Sequence, residues 1–110
     1  MAEVSLEGDP LLGEIMERLK KALNPARIYL FGSRARGEAA PDSDYDILVL
    51  VDHPTEPRYR LSQKGFEALR GIPAAVDVVV WDRATFDARR HLKVSFSATM
   101  LREGRLLHAA

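Results

Sequence analysis

Apolar and polar positions change period several times along this chain, and each change marks an element. Leu11, Leu12, Ile15, Met16, Leu19 and Leu23 recur at helical spacing and form one stripe. Asp9-Pro10 suits the start of that helix, because Asp is a favoured N-cap and proline fits the first helical position. Glu14 with Arg18, and Glu17 with Lys21, stand four apart on its polar side. Asn24-Pro25 ends it. Residues 27–31 are apolar, with β-branched and aromatic members. They are too few for a helix and stop at Gly32, which predicts a strand. Residues 33–37 begin a short helix and residues 38–42 form a loop. Tyr45 to Val51 is almost continuously apolar, the pattern of a strand covered on both faces in the middle of a sheet. Asp52-His53-Pro54 ends it.

A second long helix is expected from Thr55, with Leu61, Phe66, Ala68 and Leu69 on its inner side and Gly71, Ile72 and Pro73 closing it. Residues 75–81 read as a third strand, with Asp77 as one charge among six apolar residues. Asp82 caps a helix running to about Arg90. Residues 95–103 form a last helix ended by Gly104, and Leu106-Leu107 add a short edge strand. The order is α-β-α-β-α-β-α-α. It predicts an α/β (α+β) fold: a small mixed β-sheet with helices packed on one side. Residues 1–8 are expected to be flexible.

Composition narrows the function classes. A length of 110 residues fits one domain over 1–110. Formal net charge is zero, which gives no electrostatic ground for binding nucleic acid or an anionic membrane, and neither is expected as a partner. The charge is uneven, however. Glu3, Glu7, Asp9, Glu14 and Glu17 precede any base, and Arg83, Arg89, Arg90, Lys93, Arg102 and Arg105 crowd the C-terminal quarter. These are either solvated helix faces or a surface for a partner of opposite charge. Cysteine is absent, which excludes disulfides, thiolate metal sites and a cysteine nucleophile, and agrees with a reducing compartment. No apolar run approaches the ~20 residues that span a bilayer. The N-terminus lacks the basic-then-apolar order of a signal peptide. A cytoplasmic location is expected.

The chemistry concentrates around two strand ends. The first strand runs into Gly32-Ser33-Arg34-Ala35-Arg36-Gly37, and the second opens with Ser43-Asp44-Tyr45-Asp46. Side chains alternate along a strand, so Asp44 and Asp46 share a face if Asp44 already lies in the strand, and Tyr45 faces the other way into packing. Neighbouring carboxylates repel and are costly to desolvate, which points to a cation between them. Gly-Ser offers backbone N–H groups and a hydroxyl that suit a phosphate. Together they suggest metal-assisted phosphoryl or nucleotidyl transfer. Asp77 is expensive in a valine-rich strand unless paired, hydrogen-bonded or metal-bound. It either converges on Asp44 and Asp46, where three carboxylates can hold two Mg²⁺ ions, or caps or pairs locally at its strand end.

Competing motifs fail. Residues 32–37 lack the second glycine of G-x-G-x-x-G, and no Gly-Lys-Ser/Thr follows for a Walker loop. Asp42, Asp44 and Asp46 imitate the start of an EF-hand loop, but Ile47 and His53 stand where Gly and Glu are required. His53, His91 and His108 are scattered and read as surface residues. Tyr29 and Trp81 read as core.

The Gly32-Ser33 turn followed by Asp44-Tyr45-Asp46, with Val76-Asp77-Val78-Val79 and the Leu101–Leu107 ending, resembles the minimal nucleotidyltransferases of the DNA polymerase beta-like superfamily. The resemblance covers nearly everything from Arg27 onward. It implies the polymerase-beta-like fold, with Gly32 and Ser33 holding the terminal phosphates of ATP. It implies Asp44, Asp46 and Asp77 as catalytic residues and ligands of two Mg²⁺ ions. Arg34 and Arg36 would contact phosphates or an acceptor, or be solvated residues of a short helix. It also implies a HEPN-domain toxin as partner in a hetero-oligomer. The minimal transferase would be the antitoxin, adding AMP to a tyrosine of that toxin. Two alternatives stand beside this: a binding module that neutralises its partner by contact, and nucleotidyl transfer to a small molecule.

Overall fold

The computed structural model describes residues 9–37, 44–89, 91–92 and 95–110. The segments expected to be flexible (1–8) or looped (38–42), together with Ser43, Arg90 and Lys93, lie outside the described residues.

Helix α1 (Pro10–Leu23) opens where Asp9 accepts the Leu12 N–H at 3.0 Å and closes on Asn24 in the left-handed region. Its stripe of Leu12, Ile15, Met16, Leu19 and Leu23 is buried. Glu14 pairs with Arg18 as expected, and Glu17 takes Lys20 rather than Lys21. Strand β1 (Arg27–Phe31) leads into a one-turn helix α2 (Gly32–Ala35), and β2 (Tyr45–Val51) follows. Helix α3 (Arg58–Ala68), strand β3 (Val76–Asp82), helices α4 (Arg83–Ala88) and α5 (Phe96–Glu103) and strand β4 (Arg105–Ala109) complete the described chain. Asp82 and Ser95 cap α4 and α5 through their side chains.

The strands form one sheet in the order β3-β2-β1-β4. β1 is antiparallel to both β2 and β4, and β2 is parallel to β3, so the sheet is mixed. The parallel pair is joined through α3, since parallel neighbours need a crossover. β2 is central and buried along almost its whole length.

The helices are not confined to one side. On one face, α1 packs with Ile28, Leu30, Ile47, Val49 and Val80, and Leu61 of α3 joins them. On the other, Phe86 of α4 and Met100 of α5 cover Tyr29, Leu48 and Leu50. Alternation along β2 dictates this. Ile47, Val49 and Val51 point one way and Leu48 and Leu50 the other, and each is worth roughly 1.5–3 kcal/mol when buried. Both faces therefore need a cover. Aromatic contacts tie the second face together, with Tyr29 stacked on Phe86 at 5.9 Å and Trp81 on Phe96 at 5.0 Å.

α3 begins three residues later than the pattern suggests, because Pro57 biases Glu56 away from the helical region. Its inner side is set by Leu61, Gly65 and Leu69. A Cβ on Gly65 would come within 3.2 Å of Val78, so the helix lies close on β3. Phe66 is then turned outward and is 73% exposed, against the expectation that it packs inward.

Candidate active site

The sheet register assembles a row of side chains. Phe31 of β1 is paired with Asp46 of β2, and Asp46 with Asp77 of β3. Residues directly opposite one another project to the same face. Asp46 lies between Tyr45 and Ile47, which both belong to the α1 face, so the row stands on the α4–α5 face. Leu48 and Val79, two residues further along, are part of the apolar cluster on that face. Asp46 and Asp77 thus sit at the rim of a hydrophobic floor, with Asp46 half-buried and Asp77 exposed. Asp44, exposed and two residues before Asp46, adds its charge at the same end.

The electrostatics follow. Burial raises the Asp46 carboxyl above the ordinary carboxylate range, and the negative charges of Asp77 and Asp44 raise it further, with Arg36 opposing. None of the three carboxylates has an ion pair or side-chain hydrogen bond among the described residues.

The turn after β1 lies on this row. Gly32 opens α2 with φ of +73°, a conformation that glycine adopts without strain. A Cβ there would overlap the Asp46 carboxylate. Phe31 precedes it in extended conformation and gives α2 no side-chain cap, so nothing from the N-cap satisfies the first N–H groups of this turn. Ser33 follows Gly32, half-buried. Arg36 closes α2, exposed, with its charge acting on Asp46. Arg34 goes elsewhere: its guanidinium lies 4.0 Å from the centre of the Tyr45 ring.

Two supports escaped the sequence reading. The Tyr45 hydroxyl donates to Asp9 at 2.9 Å, so one carboxylate caps α1 and also anchors the residue between Asp44 and Asp46. Burial raises the Tyr45 hydroxyl pKa, helped by the Asp9 bond and charge, while Arg34 opposes. Arg105 of β4 donates to the Ala35 carbonyl at 2.6 Å and props the end of α2. Asp9 is separated from Tyr45 by 36 residues and Arg105 from Ala35 by 70, and no local pattern joins them.

The donor set fits Mg²⁺. Among the described residues no three acidic or histidine side chains form a ready-made metal cage. Mg²⁺ is usually held by one or two carboxylates together with substrate phosphates and water rather than by an all-protein shell. Asp46 and Asp77, side by side and mutually repelling, are hard oxygen donors of that kind.

The nucleotidyltransferase domain family model matches residues 12–102, from α1 to α5. The chain belongs to the nucleotidyltransferase domain family. This nucleotidyltransferase is 33% identical over 105 residues to the protein adenylyltransferase MntA of Thermococcus cleftensis, covering 94% of its own length and 96% of that protein. A solved Sulfolobus solfataricus protein assigned as a nucleotidyltransferase is similar to 88% of this chain, over 76% of its own, at 26% identity and a TM-score of 0.61. A toxin–antitoxin crystal structure with AMP-PNP is similar over 89% of this chain and 73% of that one, at 27% identity and a TM-score of 0.58. The mixed sheet of this enzyme is therefore the nucleotidyltransferase fold.

Proposed function

We propose that this nucleotidyltransferase transfers AMP from ATP to a protein hydroxyl, a tyrosine of a HEPN-domain toxin, and thereby acts as its antitoxin. The observation that carries the reading is the row in which Asp46 and Asp77 stand side by side directly under the Gly32 turn. The likeness to a protein adenylyltransferase over almost the full length of both chains supports the reaction. The likeness to a toxin–antitoxin structure with AMP-PNP supports the nucleotide and the kind of partner. The HEPN identity and the tyrosine rest on the family resemblance.

In this reading the N–H groups of the α2 turn and the Ser33 hydroxyl hold the terminal phosphates of ATP. Asp44, Asp46 and Asp77 would hold the two Mg²⁺ ions. Bound Mg²⁺ neutralises charge on the attacking and leaving oxygens of an in-line displacement. Asp77 takes the proton of the acceptor hydroxyl. The hydroxyl oxygen bonds to the α-phosphorus, the bond from that phosphorus to the bridging oxygen breaks, and pyrophosphate leaves. Arg36, at the end of the α2 turn, meets a phosphate in this reading. Arg34 and Tyr45 hold the turn against β2.

Intact-mass spectrometry of the HEPN protein, after incubation with this enzyme, ATP and Mg²⁺, tests the reading. A gain of one or more AMP units is expected, with none from Asp44→Asn/Asp46→Asn. AMP units added by the double variant would remove the carboxylates from the mechanism. Neutralisation of the toxin with no mass gain would reduce the protein to a binding module.

A further inference from the structure

β3 is an edge strand, and nothing among the described residues pairs with its outer side. It is an unusual edge. Edge strands are normally blunted by lysine, proline, a bulge or shortness, and this one carries Val76, Val78, Val79 and Val80 over seven residues, with Asp77 as the one charge before Asp82. Along it runs a groove of about 590 Å³, walled by Tyr59 and Phe66 of α3 and floored by Val76, Asp77 and Val78. A second groove of about 480 Å³ continues past Phe66 toward Ile72, with Arg70 at its side. Tyr59 and Phe66 are two helical turns apart, on one side of α3, and 72% and 73% exposed. They are two of the three large apolar side chains that the described residues leave open; the third, Leu92, is not part of either groove. β4, the opposite edge, carries no carboxylate.

The register supplies the rest. The row across the sheet is Phe31, Asp46, Asp77, and it stops at Asp77 only because the sheet stops there. A strand added outside β3 would lie about 4.8 Å away and place a residue opposite Asp77. That side chain would stand on the same face as Asp46 and Asp77, while its two neighbours would point to the other face, where α3 presents Tyr59 and Phe66. One extended segment can thus deliver a hydroxyl to the carboxylates and apolar side chains to the groove. Residues 58–70 carry four bases against one acid, Glu67, so the segment's flanks should be acidic.

We infer that the outer edge of β3 with Tyr59 and Phe66 is the docking site for the acceptor protein, whose extended segment joins the sheet with its hydroxyl residue opposite Asp77. This inference deepens the proposed AMP transfer and rests on it for the nature of the occupant. β-strand addition draws affinity from main-chain hydrogen bonds and specificity from alternate side-chain pockets.

The test uses the purified HEPN protein and three forms of the enzyme: wild type, Tyr59→Ser/Phe66→Ser and Asp44→Asn/Asp46→Asn. Binding is measured by calorimetry and β3 amide protection by hydrogen exchange, neither of which requires transfer. Affinity should fall at least tenfold in Tyr59→Ser/Phe66→Ser and stay near wild type in Asp44→Asn/Asp46→Asn. Amides of 76–80 should gain protection in the complex. Transfer by Tyr59→Ser/Phe66→Ser should show a raised KM for the HEPN protein and an unchanged KM for ATP. Wild-type affinity in that variant, or unprotected β3 amides, overturns the docking site whether or not AMP is transferred. Self-association of wild type in sedimentation, abolished in that variant while HEPN binding persists, also overturns it and assigns the edge to a second copy. If wild type binds through this edge and adds no AMP, docking stands and the transfer reading fails.

Discussion

Asp46 concentrates the physical argument at the residue scale. It is held half-buried between two other acids because the register of β2 with β3 leaves it no alternative. The consequence is a pH-dependent cost. Burial first, then Asp77 and Asp44, raise its folded-state pKa above the ordinary value of 3.8. A carboxyl raised on folding contributes stability that is present below the unfolded pKa and lost as pH rises through the folded pKa. Asn mimics the protonated form. In metal-free buffer, Asp46→Asn should therefore melt above wild type at pH 7, and the gap should close as pH falls toward 3.8 and below. Thermal melts by circular dichroism across that range check it, and a gap that widens on acidification would contradict it. Gly32 shows the same economy of space. The positive φ and the overlap that any Cβ would make with Asp46 both exclude a side chain there, so the Gly32 turn and the carboxylate row are in contact by construction.

At the scale of elements, the site depends on ties between pieces far apart in the chain. Asp9 satisfies the N-terminus of α1 and the hydroxyl of Tyr45, and Arg34 lies over the same ring. Losing an N-cap costs about 1 kcal/mol, and leaving the buried Tyr45 hydroxyl unpaired costs about 1–3 kcal/mol. Asp9→Ala should destabilise the fold by roughly 2–3 kcal/mol by urea denaturation, and Tyr45→Phe by about 1 kcal/mol. A loss of only about 1 kcal/mol in Asp9→Ala with none in Tyr45→Phe would show that Asp9 is a cap alone. Such ties explain what the sequence could and could not reveal. α1, β1, β2 and the caps Asp9 and Asp82 were legible because periodicity and capping are local; the Ser95 cap of α5 was not read from the sequence. The start of α3 was misplaced because Pro57 overrides the apolar pattern, and Phe66 because Gly65 takes the inner position beside it. The side on which Arg34 lies, and the prop from Arg105, are set by packing that no local spacing encodes.

At the scale of the whole molecule, the mixed sheet does two things with one strand order. It buries β2 under helices on both faces, and it brings the start of β2 between the end of β1 and the start of β3. The reading of β2 as covered on both faces already implied helices on both sides, and the expectation of one-sided packing conflicted with it. The aromatic cluster of Tyr29, Phe86, Trp81 and Phe96 covers the second face, with Phe96 edge-on to Phe31 at one end of the row and Asp77 exposed at the other. In the proposed function, Asp46 and Asp77 form one metal-dependent transfer centre with the Gly32 turn. That centre is tested most directly by incorporation of α-labelled ATP into the HEPN protein by wild type and Asp77→Asn, with and without Mg²⁺. Label transfer by wild type with Mg²⁺ is expected, with none after chelation and a fall of at least about a hundredfold in Asp77→Asn while AMP-PNP affinity is largely kept. Transfer at the wild-type rate by Asp77→Asn, or by wild type without divalent metal, would contradict it.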